Sequence, residues 1–146
     1  MTQLFRQLIE GVYASPQIGI DDVELARAMG IRLIINNRPE LESADQVPGA
    51  EIEAAARAAG IDYVAIPVTH AGFSEPQVAA MAKALDRATG PVLAYCRSGT
   101  RSTLLWALAE SSKGADPDEL ARAAEHAGYD LGPIRTLMDV LASRAE

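Results

Sequence analysis

The sequence predicts an α/β protein in which a mostly parallel central sheet is flanked by helices to give three layers. Two observations lead to this prediction. Short apolar runs alternate along the chain with alanine-rich helical segments, a pattern typical of parallel sheets covered on both faces. Gly30, Gly60 and Gly90 stand at equal spacing, and each marks the point where a helix candidate gives way to an apolar run. Because few other positions match between these units, the pattern indicates βα alternation and not a sequence repeat.

Local signals predict the elements in order. Residues 1–10 are expected to form a turn of amphipathic helix. Asp21 is a candidate N-cap for a helix that runs through Met29, and Ser74 with the following Gln77 has the pattern of a capping box. The strand candidates are residues 11–14, 31–35, 61–68 and 92–95. The helix candidates are residues 21–29, 51–59, 74–89, a segment from Ser102 onward, residues 116–127 and a final segment from Pro133.

The length of 146 residues is enough for one domain with a hydrophobic core, so residues 1–146 are expected to form a single domain. Its core is assigned to residues 11–112, and the helices of residues 113–146 are expected to pack on that core. The final helix carries apolar residues at helical spacing, which favours a packing role. The charged loop 36–50 is long enough to suggest a function, although a solvated connection is the commoner case.

Composition narrows the classes of function. The formal net charge of −7 argues against nucleic acid and anionic membrane surfaces as partners, but a few arginines can still form a local anion site. One cysteine rules out an internal disulfide and, with two histidines, argues against a zinc site, so neither a metal nor a cofactor is predicted. No segment reaches the roughly 20 apolar residues that span a bilayer, and no signal-peptide core is evident. A lone reduced thiol is expected in the cytoplasm.

Residues 91–112, PVLAYCRSGTRSTLLWALAESS, contain the strongest chemical signal in the chain. A buried strand delivers Cys96 into a short polar turn at the start of an apolar helix, where free backbone N–H groups favour negative charge. A thiolate there, beside Arg97 and Arg101, is a candidate nucleophile. The planar guanidinium of Arg101 can donate two hydrogen bonds to an anion. Ser102 is expected to donate a hydroxyl hydrogen bond to the sulfur. The remaining candidate anion-binding residues of the turn are Ser98, Gly99 and Thr100.

The alternative interpretation of Cys96 is a small buried apolar residue, which is what most free cysteines are. The polar residues that follow it argue against this interpretation, because they contribute little to packing and are suited to binding an anion. Gly99 in particular allows the backbone to turn with its N–H groups facing inward. A nucleophilic Cys96 is therefore the favoured interpretation.

Two further candidates follow neighbouring strands. Ligands bind at the carboxyl ends of parallel strands, and Arg38 and His70 come after two of the predicted strands. Both are therefore candidate anion-binding residues near Cys96. Each has a plainer interpretation, since Arg38 could be a solvated loop residue and His70 a hydrogen-bonded structural residue. Asn36 and Asn37 suit turn geometry and are given no functional role.

Four separated segments resemble, in this order, a bacterial family of cysteine phosphatase-like domains, the phosphatase-like domain of β-lactamase-hydrolase-like proteins. The segments are ASPQIG, LIINNRPE, AAGIDYVAIPV and PVLAYCRSGTRS. The resemblance covers about residues 11–112 and implies a dual-specificity-phosphatase-like fold, with Cys96 as nucleophile and Arg101 as anion clamp. Members of this family are also found fused to metallo-β-lactamase-fold enzymes, so the resemblance further implies a metallo-β-lactamase-fold dioxygenase as a partner.

Two departures from the cysteine phosphatases bear on the reaction. Four residues separate Cys96 from Arg101, one fewer than is usual in those enzymes, and the CRSGTR loop looks like that of single-domain rhodaneses. The loop 69–75 also lacks the aspartate that protonates the leaving group in those phosphatases, although His70 or Glu75 could replace it.

Both departures favour a sulfurtransferase of the rhodanese type. It would take sulfane sulfur from thiosulfate or a persulfide, hold it as a Cys96 persulfide and pass it to an acceptor thiol, as in sulfide detoxification. The first alternative is a cysteine-class phosphatase that acts on a phosphate ester through a Cys96 phosphoenzyme. The second is a thiol sensor or persulfide carrier without enzymatic turnover.

Overall fold

A five-stranded sheet runs through the centre of the protein, whose computed structural model describes residues 4–145. The strands are β1 (Arg6–Ile9), β2 (Val12–Ser15), β3 (Leu33–Asn36), β4 (Asp62–Ala65) and β5 (Val92–Tyr95). The helices are α1 (Ile20–Ala28), α2 (Gly49–Ala58), α3 (Glu75–Arg87), α4 (Thr100–Ser112), α5 (Pro117–His126) and α6 (Arg135–Arg144), with a 3-10 turn at Gly132–Ile134. The strand order is β1-β2-β5-β3-β4. All neighbouring strands are parallel except β1, which pairs antiparallel with β2, so the predicted mostly parallel α/β sheet is confirmed.

Helices cover both faces of this sheet because the side chains of each central strand alternate between two apolar clusters. On β5, Leu93 and Tyr95 belong to the cluster that contains residues of α1 and α2. Val92 and Ala94 belong to the cluster formed with α3, α4, α5 and α6. Every residue of β3 and β5 is buried, as expected for strands with both faces covered. The three layers predicted from the sequence are therefore present.

Helix α4 lies at the centre of its layer. Residues 105–109 are all fully buried, in agreement with the apolar sequence on every side of this helix. The helix contacts α3, α5 and α6 as well as strands β2 and β5. It begins at Thr100, two residues before the predicted start, because Gly99 in the left-handed region already turns the chain into the helix. This burial fixes the position of its N-terminal turn.

The expected helix within residues 1–10 is wrong for the part of that segment that the structure describes. Residues 6–9 form β1, which pairs with β2 through a tight turn at Glu10 and Gly11. Gly11 has φ +87°, a conformation that glycine adopts without strain, and the hairpin depends on it. Pairing with a sheet edge therefore outweighs the weak helical pattern of this segment. Residues 1–3 lie outside the described residues.

The two expected helix caps have different outcomes. At α1 the N-cap is Gly19 and not Asp21, and the neighbouring Asp22 carboxylate accepts a hydrogen bond from the Gly19 N–H at 2.7 Å. At α3 the capping box is confirmed. The Ser74 N–H donates to Gln77 Oε1 at 2.8 Å, and the Gln77 N–H donates back to Ser74 Oγ at 3.4 Å.

Strand β4 ends at Ala65, three residues before the predicted end. The N–H groups of Ile66 and Val68 still donate to the carbonyl oxygens of Asn36 and Asn37, each at 2.9 Å. The chain therefore stays alongside β3 past the end of the regular strand, and residues 66–74 lie at the carboxyl edge of the sheet. Among residues 4–145, no helix combines the length and the apolar character needed to cross a membrane.

Candidate active site

Cys96 directly follows β5 and is completely buried. Its sulfur accepts a hydrogen bond from the Gly99 N–H at 3.1 Å, and its own N–H donates to the Ser15 carbonyl oxygen at 3.3 Å. Gly99 is the N-cap of α4, so the thiol sits against the positive end of a buried helix. A strand, a turn and a helix start thus bring Cys96 and a backbone N–H together in the way that the sequence predicts.

The turn requires glycine at position 99 for two reasons. Gly99 has φ +92°, in the left-handed region that side chains disfavour. A Cβ at this position would also clash with the Tyr129 hydroxyl and lie 3.2 Å from the Ser15 carbonyl carbon. Tyr129 supports the turn from behind, because its hydroxyl donates to the Ser98 carbonyl oxygen at 3.2 Å. The Arg6 guanidinium lies over the Tyr129 ring, 5.3 Å from its centroid, and joins β1 to this support.

Arg101, on the first turn of α4, is held in a fixed orientation. Its Nη1 and Nη2 donate to the two carboxylate oxygens of Glu42 at 2.7 and 2.8 Å, a bidentate ion pair. Its Nη1 also donates to the Val68 carbonyl oxygen at 2.8 Å. The guanidinium is therefore tied to the loop after β3 and to the segment after β4 at the same time.

Glu42 bridges two arginines. The hydrogen bonds from Arg101 lower the pKa of its carboxyl to about 2, against the effect of burial, and the hydrogen bond from Arg38 contributes further. Arg38 is itself buried, and its Nε donates to Glu42 Oε1 at 2.8 Å. Its other two nitrogens donate to Gln17 Oε1 at 2.9 Å and to Ser43 Oγ at 3.1 Å. Arg38 thus serves as an anchor for Glu42, with each of its three nitrogens already engaged.

Ser102 lies on the first turn of α4 but does not donate to the sulfur as expected. Its hydroxyl donates to Asn37 Oδ1 at 2.8 Å, and Asn37 Nδ2 donates to the Ile66 carbonyl oxygen at 2.9 Å. Ser102 and Asn37 are both buried, so this chain of hydrogen bonds satisfies polar groups between α4 and the two neighbouring strands. The bonds hold the start of α4 in register with the ends of β3 and β4.

The remaining predicted residues lie toward solvent. Arg97, Ser98 and Thr100 are exposed at the rim of the turn. The Ser98 and Thr100 hydroxyls are 3.0 Å apart, and the Thr100 N–H donates to Ser98 Oγ at 3.3 Å. The backbone of Arg97 is fixed by the Gln17 N–H, which donates to its carbonyl oxygen at 3.2 Å. His70 is exposed, and its imidazole makes no hydrogen bond to any of the residues that the structure describes.

Four residues of the site were not predicted: Gln17, Asn37, Glu42 and Tyr129. The sequence does contain a signal for Asn37. Asn36 and Asn37 follow an apolar strand, and polar side chains that are buried there need hydrogen-bond partners. Glu42 lies in a loop with several charges, and only the fold shows that its carboxylate reaches Arg101. Tyr129 is 33 positions from Cys96 in the chain, and no local pattern links the two.

Cys96 lies on a strand-to-helix turn, and the Arg101 guanidinium on the following helical turn is held by a carboxylate, which is the arrangement that the resemblance to cysteine phosphatase-like domains implies. Comparisons with known proteins agree. Residues 4–114 match the family described as "Beta-lactamase hydrolase-like protein, phosphatase-like domain". The chain belongs to this family, as the resemblance in the sequence implied.

Three relatives illustrate the relationship. A Beta-lactamase hydrolase-like protein of Xylella fastidiosa (strain 9a5c) is 40% identical over 112 residues, which cover 75% of this chain and 26% of that protein. A crystal structure of a candidate phosphatase from Neisseria meningitidis Z2491 has a TM-score of 0.84 at 35% identity, over 96% of this chain and 99% of that one. Tk-PTP in its active form has a TM-score of 0.75 at 14% identity, with 99% of each chain covered, and shows the shared fold.

These comparisons confirm the dual-specificity-phosphatase-like fold and membership of a phosphatase-like family, and they support an enzyme. The chain spans about a quarter of the length of the curated Xylella relative. The matching family and the similar solved structure from Neisseria meningitidis are described as phosphatase-like and as a candidate phosphatase, so the comparisons favour the phosphatase alternative over the sulfur transfer that the sequence favours.

Proposed function

We propose that this domain is a cysteine-dependent phosphatase, in which the Cys96 thiolate takes the phosphoryl group from a phosphate ester. The observation that supports the proposal most strongly is the hydrogen bond of 3.1 Å from the Gly99 N–H to the Cys96 sulfur at the start of α4. N–H groups in this position stabilise a thiolate and can also receive the oxygens of a phosphoryl group. Membership of a phosphatase-like family supports the same reaction.

In this proposal Cys96 is the nucleophile and Arg101 is the anion clamp. The pKa of Arg101 is raised first by its hydrogen bonds to Glu42, while burial opposes this and the nearby charge of Cys96 adds to it. Arg101 stands on the first turn of α4, whose N-terminus lies against the Cys96 sulfur, so its guanidinium is proposed to meet a group bound there. Among the described residues its Nε–H has no other hydrogen-bond acceptor, so it can donate to a phosphoryl oxygen.

The other residues divide into two groups. Arg97, Ser98 and Thr100, on the exposed rim, are proposed to contact the substrate beyond its phosphoryl group. Arg38 and Ser102 have their polar atoms engaged with protein partners and are proposed to position the site. His70 receives no role in phosphoryl transfer, because no hydrogen bond among the described residues holds its imidazole in place.

Sulfur transfer remains the second candidate because of one specific observation. Only four residues separate Cys96 from Arg101, and such a short loop offers fewer N–H groups to the three outer oxygens of a phosphoryl group. A terminal sulfur on Cys96 carries less charge and needs fewer donors. In this reaction Cys96 would attack the outer sulfur of thiosulfate, release sulfite and hold a persulfide for an acceptor thiol.

Parallel assays on one preparation separate the two candidates. The wild-type domain is expected to release nitrophenolate from para-nitrophenyl phosphate, and Cys96→Ser is expected to abolish this release because the serine hydroxyl is a far weaker nucleophile. The same preparation is incubated with thiosulfate and cyanide, and thiocyanate is measured. Thiocyanate formation that depends on Cys96, without release of nitrophenolate, would contradict the phosphatase proposal and support the sulfurtransferase.

Partners and location are proposals too. The Xylella relative is about four times as long as the matched segment, which leaves room in that protein for a further domain. We keep a metallo-β-lactamase-fold dioxygenase as the proposed partner, with a thiol acceptor if sulfur is the cargo. The cytoplasm is the proposed location, because the single free thiol requires a reducing environment to stay active.

A further inference from the structure

We propose that the site acts on phosphates whose leaving group departs as a stable anion without receiving a proton. Acyl phosphates and phosphates of acidic phenols belong to this class, whereas alkyl phosphates do not. The inference rests on the proposed function and specifies which phosphate esters the site accepts. It follows from the positions of the acidic side chains around the carboxyl edge of the sheet.

The loop 37–48, which reaches the site, carries three carboxylates, and each is already engaged. Glu40 Oε1 accepts from the Gly49 N–H at 2.9 Å, at the first turn of α2. Glu42 is paired with both arginines, and with a pKa of about 2 its carboxyl holds no proton at neutral pH. Asp45 Oδ1 accepts from Ser43 Oγ at 2.8 Å, and this hydrogen bond is the largest cause of the lowered pKa of Asp45. None of the three is arranged to donate a proton.

The loop 66–74 has no aspartate or glutamate at all. Glu75, the next acidic residue, begins α3, and its side chain is 88% exposed with its carboxylate 3.7 Å from Arg144. It is therefore directed toward the C-terminal helix. The remaining titratable group of this loop is His70, whose exposed imidazole has no partner among residues 4–145 to fix it over the sulfur.

A general acid has to lie within hydrogen-bond reach of the leaving atom. The phenol of Tyr129 does not serve, because its hydroxyl already donates to the Ser98 carbonyl oxygen behind the turn. Asp22 does not serve either, because its carboxylate caps α1 through the Gly19 N–H. The Gly99 N–H and Arg101 are thus in place to meet an anion, while none of the acidic groups named here is positioned to supply a proton.

The first step then proceeds without proton transfer. The Cys96 sulfur forms a bond to phosphorus as the bond from phosphorus to the leaving oxygen breaks. The electron pair of that bond stays on the leaving oxygen, which departs as an anion. The rate of this step therefore depends on how well the leaving oxygen bears negative charge, since general acid catalysis worth about 10²–10⁴-fold is missing.

The second step is slow for the same reason. A water molecule forms a bond to phosphorus as the bond to sulfur breaks, the electron pair returns to the Cys96 thiolate, and one water proton goes to the solvent. The group that acts as acid in the first step ordinarily acts as base in the second. Without it, phosphocysteine is expected to accumulate during turnover.

The experiment uses the wild-type domain and a series of aryl phosphates from dinitrophenyl to unsubstituted phenyl phosphate, with an alkyl phosphate added. Phenolate release is followed by stopped flow, and kcat/KM and kcat are determined for each substrate. We expect kcat/KM to fall by roughly a hundredfold or more across the aryl series, because the first step lacks acid assistance. We expect kcat to stay nearly constant, with a burst of phenolate equal to the enzyme concentration. His70→Asn is expected to show the same dependence on the leaving group.

Each other outcome has a definite meaning. A kcat/KM that is nearly the same for all aryl phosphates overturns the inference while the phosphatase function stands, because it requires a proton donor. A flat wild-type profile that becomes steep in His70→Asn overturns it as well and identifies His70 as that donor. No release above the Cys96→Ser level with any substrate contradicts the proposed function itself, and the inference with it.

Discussion

The two loops that follow β3 and β4 meet at the same edge of the sheet but differ in what they bring to Cys96. Loop 37–48 is rich in carboxylates and sends Glu42 to Arg101 in a bidentate pair. Loop 66–74 has no carboxylate and contributes only a backbone oxygen, that of Val68, to the same arginine. The first loop therefore fixes Arg101, the proposed anion clamp, whereas the second loop, where a cysteine phosphatase would keep its acid, has no carboxylate.

Under the proposed function, binding an anion and protonating a leaving group therefore depend on different loops. The Arg101 guanidinium is held by the Glu42 carboxylate, which is itself fixed by Arg38. Rigid donors stabilise negative charge without reorganisation during the reaction. Substitutions in the two loops are therefore expected to have very unequal effects on activity.

The largest effect in this comparison is expected for Arg101→Lys. A lysine keeps the positive charge but cannot form the two-pronged contact with Glu42 and the substrate at once. We expect kcat/KM for para-nitrophenyl phosphate to fall by about 10²–10³-fold, the usual cost of losing a fixed donor to a developing anion. A loss of less than threefold would mean that Arg101 is not the clamp.

A smaller effect is expected for Glu42→Gln. The amide can accept from only one Arg101 nitrogen, and it leaves the buried Arg38 without its charged partner. We expect kcat/KM to fall by about 10–100-fold, with most of the change in kcat. Glu53→Gln is the matched control, because Glu53 also pairs with an arginine, Arg57, but on the exposed surface of α2. Equal losses in the two variants would contradict a specific role for Glu42.

The same residue predicts a pH dependence of stability. The pKa of Glu42 is about 2 in the folded protein and near 4.5 when the carboxyl is free, so the unfolded state binds the proton first. Its contribution, at most about 3 kcal/mol and smaller after screening by solvent, is present above pH 4.5 and is lost as the pH falls toward 2. Urea unfolding of the wild type and of Glu42→Gln between these pH values should converge, since only the wild type loses this contribution. A constant difference between them would contradict the assignment.

The smallest effect is expected in the second loop. His70→Asn removes its only titratable side chain, and we expect kcat/KM at neutral pH to change by less than about threefold, because the account assigns the loop no proton transfer. The measurement is the pH profile of kcat/KM for both proteins. If the wild-type profile has a limb near neutral pH that disappears in His70→Asn, His70 acts as an acid in this loop, and the proposed contrast between the two loops is contradicted.

The sequence predicts the elements that depend on local pattern. Three features could be predicted because each depends on residues that are neighbours in the chain. They are the alternation of helices and apolar runs, the capping box at Ser74 and the turn from β5 into α4. Residues 6–9 were misassigned because the strand is stabilised only by pairing with β2, which no local pattern encodes. The end of β4 and the start of α4 differ from the predicted positions by three and two residues.

The site divides in the same way. Cys96, Gly99 and Arg101 lie within one short turn, so the spacing in the sequence reveals them. Glu42 lies 59 residues from Arg101 in the chain, and their ion pair depends on the strand order. Ser102 was assigned to the sulfur because it is near in sequence, but Asn37, 65 residues away, offers a buried acceptor that must be satisfied. Long-range hydrogen bonds of this kind require the fold.

The identity of the group that Cys96 carries is the central question, and intact-protein mass spectrometry after rapid acid quench tests it most directly. The wild-type domain is mixed with para-nitrophenyl phosphate, quenched during turnover and compared with Cys96→Ser. We expect a phosphoryl adduct on Cys96 of the wild type, close to one per molecule because its hydrolysis is slow, and no adduct in the variant. A wild type that turns over the substrate with Cys96 unmodified, or that gains mass only as a persulfide from thiosulfate, would contradict the proposed function.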